Sequence, residues 1–219
     1  MKRNLRIKLS HFYMLIIIVL IIAGCKKSST QPVVDNTPDY SPMTAGSTWT
    51  YELNTGQTYT LTATNKDTVA AGRTYKVFTN SAGPNAYRNK SVNEYYRFGI
   101  IEGVNANGFE ELYLKDNQDV NGLWQTVQTV NVPGIPLPLI ATLKYTIAEK
   151  GISRTVNGKN YANIIHIRMD VSVANYGSIG GGDFYYANKV GLIEDALLLT
   201  AQGQVLTNTS EKLITYTIK

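Results

Sequence analysis

The chain has 219 residues, with 21 Lys and Arg against 16 Asp and Glu and a single Cys. Its formal charge of +5 belongs mostly to the start: Lys2, Arg3, Arg6 and Lys8 precede residue 25 with no acid among them, and the rest carries 17 bases against 16 acids. A near-neutral remainder excludes the concentrated basic surface that nucleic-acid binding needs, and one thiol excludes a disulfide framework.

Residues Phe12 to Ala23 run apolar without interruption and end at Ile22-Ala23-Gly24-Cys25. A basic start, a short apolar run and small residues before a cut are the layout of a secretory signal. The run falls short of the roughly 20 residues a helix needs to cross a bilayer. The tetrad resembles the lipobox of bacterial lipoproteins. That resemblance implies cleavage after residue 24, a diacylglyceryl group on the thiol of Cys25, and an acyl chain such as palmitate on the new amino terminus. It predicts a signal over 1–24 and a lipid anchor at Cys25, with the membrane as first partner. Residues 25–44, with Pro32, Pro38 and Pro42 and little apolar content, are predicted to be an extended tether.

From residue 45 to 219 the expectation is one all-β domain, because apolar positions alternate with period two and Tyr, Thr, Val and Ile abound. Trp49, Tyr51 and Leu53 face one way, as do Tyr59, Leu61 and Ala63, and Ile165, Ile167, Met169, Val171 and Val173. Turns are predicted at Asn54-Thr55-Gly56, Ala71-Gly72, Asn107-Gly108, Asn121-Gly122, Asn157-Gly158 and Gly180-Gly181-Gly182. Asn157-Gly158 is the best hairpin signal, since a type I′ turn needs positive φ at both central residues. About ten to twelve antiparallel strands should form a sandwich or a curved, barrel-like sheet. An internal repeat is predicted over about 46–120 and 121–219. Tyr59-Thr60-Leu61 matches Tyr145-Thr146-Ile147 and, in the same register, Gly72 to Tyr75 matches Gly158 to Tyr161. Trp49 pairs with Trp124, and Tyr95-Tyr96 with Tyr185-Tyr186.

The spacing Tyr40-x-Pro42-x-x-x-Gly46-x-x-Trp49-x-Tyr51 after a lipobox, with the later Phe184 to Ile193, resembles uncharacterised cell-envelope lipoproteins of the Bacteroidota. The resemblance implies an all-β envelope lipoprotein and carries over no catalytic residue. Surface-directed lipoproteins of that phylum resemble one another in acidic residues soon after the cysteine. Lys26, Lys27, Ser28, Ser29 and Thr30 include none, which predicts the periplasmic face of the outer membrane.

Chemistry has few candidates. Beyond the signal there is one histidine, His166, sharing a strand face with Arg168 and Asp170, and no Gly-x-Ser-x-Gly motif accompanies it. We expect no catalytic residue, so hydrolysis is a minor alternative. One histidine and no free thiol leave zinc and copper without ligands. Asp116 to Gly122 offers oxygen ligands for calcium but departs from the EF-hand order at Val120. No metal and no cofactor is expected. Val132 to Ile140 (VPGIPLPLI) reads as a connector packed on the core or as a lid. The expected role is a non-catalytic binding module for an envelope protein, glycan or lipid-like ligand, with a structural or assembly subunit as the alternative. An apolar cavity near residues 133–140 would favour a lipid-like ligand, exposed aromatics a glycan, and a filled core with an outer apolar patch a protein partner.

Overall fold

The computed structural model describes residues 37–101, 105–130 and 138–219. Cys25 and residues 132–137 of the apolar connector lie outside the described residues. The folded unit runs from Pro38 to Lys219 and contains twelve strands in chain order. They are β1 Thr48–Leu53, β2 Thr58–Ala70, β3 Arg73–Asn80, β4 Ala86–Ser91, β5 Glu94–Ile101, β6 Asn105–Lys115, β7 Leu123–Val130, β8 Leu139–Val156, β9 Lys159–Val173, β10 Gly177–Ala187, β11 Gly191–Ala201 and β12 Gln204–Thr217. All belong to one antiparallel sheet with the order β6-β5-β4-β3-β2-β1-β12-β11-β10-β9-β8-β7.

The sheet curls into a nearly closed barrel, so the barrel-like expectation holds and the sandwich does not. Its ends, β6 and β7, meet along a seam bridged by side chains. Trp124 Nε1 donates to the Leu112 carbonyl at 2.8 Å and Gln128 Nε2 to the Glu110 carbonyl at 2.7 Å. Each side-chain donor satisfies a carbonyl that an edge strand would otherwise leave open. The predicted repeat boundary falls at this seam, with six strands on either side. Tyr95-Tyr96 and Tyr185-Tyr186 do not correspond, however: they lie in β5 and β10, the fifth strand of one half and the fourth of the other.

Alternation sets the core. On β9, Ile165, Ile167, Met169 and Val171 are buried, while Arg168, Asp170 and Ser172 face solvent. Asn157 (φ 48°) and Gly158 (φ 77°) form the expected two-residue turn, and Ala71 and Gly72 repeat it. Two predicted turns are corrected. Gly108 lies inside β6, and Gly180 to Gly182 lie inside β10 beside a bulge between Ser178 and Gly180. These glycines serve close backbone approach, not chain reversal. A Cβ on Gly181 would stand 2.0 Å from the Met169 carbonyl oxygen, and one on Gly180 2.2 Å from that of Leu198.

The tether ends earlier than residue 44. Tyr40, Ser41 and Pro42 are buried, and backbone bonds seat their segment on the barrel: Lys189 N–H to the Asp39 carbonyl at 2.5 Å and Gly46 N–H to the Ala63 carbonyl at 2.8 Å. Tyr40 also packs edge-on against Tyr95, so its ring area outweighs the extended bias of the flanking prolines. This segment closes the barrel end that carries the β10–β11 turn. The opposite end carries the β7–β8, β9–β10 and β11–β12 connections.

Candidate functional site

The two barrel ends differ in content. Near the closed end Trp49, Tyr51, Phe78, Ile164 and Ile193 fill the interior. Towards the other end the inward positions are Ala141, Leu143, Val171, Leu197 and Leu199, too small to meet across the lumen. They leave a cavity of about 400 Å³, within the roughly 300–1,000 Å³ of ligand pockets. Strand register gives it layers. Met169, Leu197, Arg97 and Glu111 form the floor, Leu143, Val171, Ile179 and Leu199 the walls, and Val130, Leu139, Val173, Tyr176, Ala201 and Leu206 the rim. Val130 and Leu139, the latter within the apolar connector, both line the rim.

The floor is polar. Glu111, 2% exposed, accepts from Arg97 Nε at 2.5 Å and Nη2 at 2.8 Å, and from the Tyr145 hydroxyl at 2.5 Å. Protein surrounds Arg97, yet 43% of its side chain is accessible because it borders hollow lumen. Burial opposes its charge, but Glu111 reverses that effect and holds the guanidinium well above its ordinary pKa. Arg88 is its cross-strand partner on β4 and lies among Tyr51, Tyr113, Tyr186 and Tyr59. Across the lumen Asp195 and Glu211 face each other on β11 and β12. Burial, reinforced by the Glu211 charge, raises the Asp195 carboxyl to about 7. Burial raises Glu211 too, against the hydrogen bond from the Tyr59 hydroxyl and the charge of Arg88.

The residues singled out from the sequence are elsewhere. His166 is buried on the outer face, stacked on Tyr185 at 4.2 Å. Its Nδ1 lies 2.8 Å from Glu149 and its Nε2 2.7 Å from Asp183, so both nitrogens are engaged by carboxylates and neither by a serine hydroxyl. Arg168 lies 3.5 Å from Asp183, and Asp170 lines a shallow outer depression of about 460 Å³ over the glycine-rich part of β10. That depression is more open to solvent than the inner cavity, and it isolates nothing from water. In the Asp116 to Gly122 loop, weighed above for calcium, the Lys150 ammonium takes the Asp116 and Gln118 carbonyls at 2.8 and 2.9 Å, and Asp116 also accepts from Tyr95. A lysine therefore occupies the oxygens a cation would use. The tyrosine pairs divide between faces as alternation requires. Tyr95 and Tyr186 are in the core, while Tyr96 and Tyr185 lie outside under Arg73 and Arg154 at 3.5 and 3.6 Å.

Solved structures with a similar fold are described by their names as lipoproteins or as an exported protein. A candidate lipoprotein from Parabacteroides distasonis ATCC 8503 superposes with a TM-score of 0.50 at 13% identity, over 83% of this chain and 100% of that one. The hypothetical lipoprotein YmcC from Escherichia coli (K12) gives 0.41 at 11% identity, over 77% and 83%. A candidate exported protein with YmcC-like fold from Bacteroides fragilis NCTC 9343 gives 0.38 at 8%, over 80% and 97%. At these identities the first likeness shows a shared fold. No protein-family model and no curated protein matches the sequence.

Proposed function

We propose that this chain is a lipoprotein of the bacterial envelope, anchored through Cys25 at the periplasmic face of the outer membrane, whose barrel binds a lipid-like ligand without catalysis. The observation that carries the binding role is the apolar cavity at one barrel end. A structural subunit with no small ligand calls for a filled interior like that of the closed end. Apolar walls of this extent, left empty, forgo contacts that a guest restores. The folded unit starts at Pro38 beside the closed end, where Lys90 holds the Pro38 carbonyl at 2.9 Å, so the mouth lies away from the point where the tether joins. The lipobox resemblance and the lipoprotein among the similar folds support the anchor. The engagement of both His166 nitrogens by carboxylates supports a non-catalytic role.

The test uses the chain from residue 25 on, with Cys25→Ser. The core residues among those described lie between Tyr40 and Leu213, so this form keeps the whole barrel. Titration with N-phenylnaphthylamine, which fluoresces in apolar surroundings, is expected to saturate at one site. A linear, non-saturating signal would refute the cavity reading. For the anchor, wild-type protein is expected to take up radiolabelled palmitate and the Cys25→Ser protein none. Protease added to whole cells should leave the wild type uncut.

A further inference from the structure

Resting on that reading, we infer that the guest is a long-chain amphiphile with a carboxylate head, seated head-down on Arg97 with its chain rising towards the rim. Among the described residues lining the cavity, Arg97 and Glu111 are the only charged ones. Gln128, also in the lining, already donates to the Glu110 carbonyl. A charged head therefore finds its opposite charge at the floor, while Tyr176 at the rim offers only a hydroxyl. A guanidinium has five N–H donors, and Glu111 takes two of them. Glu111 in turn is satisfied by those two bonds and the Tyr145 hydroxyl, which fixes the plane of the guanidinium while its accessible part faces the lumen.

The chemistry of the guest follows from what displaces water at that floor. A wholly apolar guest dries the remaining N–H groups of Arg97 and gives them nothing, which disfavours it. An ammonium head meets a cation. A hydroxyl accepts a neutral-strength bond, whereas a carboxylate accepts charge-assisted bonds in a geometry that matches the guanidinium fork. The Glu111 charge opposes a second anion. Two features offset it: Arg88 stands beside Arg97 as its cross-strand partner, and burial keeps Asp195 and Glu211 inclined to hold a proton. Above the floor the walls are aliphatic, so chain length is read by contact and not by hydrogen bonding.

The experiment displaces N-phenylnaphthylamine from the same Cys25→Ser chain with a long-chain fatty acid, the fatty alcohol of equal length and the corresponding alkyl amine. The fatty acid is expected to compete at concentrations at least about tenfold lower than either other probe, the scale of one charge-assisted hydrogen bond. The double variant Arg97→Gln/Glu111→Gln, which removes both charges together, should lose that advantage, with its own dye affinity measured first as the reference for each competition. Arg97→Lys, which keeps the charge without the fork, should retain only part of it. Equal competition by the three amphiphiles in the unmodified floor overturns the inference while leaving the apolar cavity standing. So does an advantage that survives in the double variant. Failure of the dye to bind at all overturns the cavity reading and this inference with it.

Discussion

The closed and open ends of this barrel are built from the same strands with different side chains. At the closed end, aromatic rings fill the interior and their polar tips find backbone carbonyls at the start of β11, two strands away from β1: Trp49 Nε1 on Val190 at 2.7 Å and the Tyr51 hydroxyl on Leu192 at 3.0 Å. At the open end, aliphatic side chains stop short, and above the Arg97–Glu111 floor the described polar tip that bonds another strand is Gln128, on the Glu110 carbonyl across the seam. A wall that holds itself shut contributes stability, and a wall that leaves room contributes binding. The two duties are separated along one axis, so substitutions at the two ends should separate them too.

The largest expected effect is therefore at the closed end. Trp49→Ala removes a ring that is 1% exposed, packs on Phe78 and is hydrogen-bonded. It should cost about 3–5 kcal/mol of unfolding free energy in urea titration. The orphaned Val190 carbonyl adds to the loss. A cost below about 1 kcal/mol would contradict the assignment of stability to this end.

Next comes the level where the two ends meet. The Asp195 and Glu211 carboxyls are raised above their unfolded values by burial, so the folded state holds protons that the unfolded state releases. The stabilisation linked to Asp195 is fully present below the ordinary aspartate value of 3.8 and is lost as pH rises through about 7. Unfolding midpoints should fall between pH 5 and pH 8, and Asp195→Asn should flatten that slope. An unchanged slope in Asp195→Asn would place the titrating group elsewhere.

The sequence made the strands legible because alternation along an antiparallel barrel is a direct record of which face is wet. It also fixed the Asn157-Gly158 turn, where two consecutive positive φ angles demand that chemistry. Gly180 to Gly182 misled because glycine serves both reversal and close approach, and only the neighbouring backbones of β9 and β11 distinguish the two. Tyr40 to Pro42 misled because prolines spoke for an extended segment while the tyrosine ring found a long-range partner in Tyr95. The lumen charges were missed although a signal was present. Glu110-Glu111 and Glu194-Asp195 are adjacent acids inside strands, and alternation sends one of each pair inward, as it does for the tyrosine pairs. Arg97 and the cavity were not legible, since the hollow depends on how far side chains from distant strands reach across a lumen whose radius no local pattern encodes.

Filling the open end should change stability little and binding greatly. Ala141 is buried on β8 and lines the cavity. Ala141→Phe adds a ring into existing space, where the usual overpacking cost of about 1–3 kcal/mol need not arise. The expected result is an unfolding free energy within about 1 kcal/mol of the parent and no saturable N-phenylnaphthylamine signal. Retained dye binding with wild-type affinity would mean that the dye sits elsewhere. The contrast with Trp49→Ala is the test: one variant loses fold and the other loses only room.

The smallest expected effect is at the seam, where both ends depend on the same weak closure. Gln128→Leu keeps the volume of the side chain and removes the donor to the Glu110 carbonyl. One neutral hydrogen bond is worth about 1 kcal/mol net, and the freed carbonyl belongs to an edge strand that water can reach, so the loss should not exceed that. Global stability is the wrong readout for so small a change. The informative one is amide exchange, because the backbone ladder is interrupted only between β6 and β7 in the strand order. If Gln128 holds the seam, exchange should quicken in β6 and β7 while β9 and β10, in the middle of their half of the sheet, keep their protection. Uniform quickening across all strands would show that the barrel opens as a whole, and the seam would lose its claim as the place where the wall gives first.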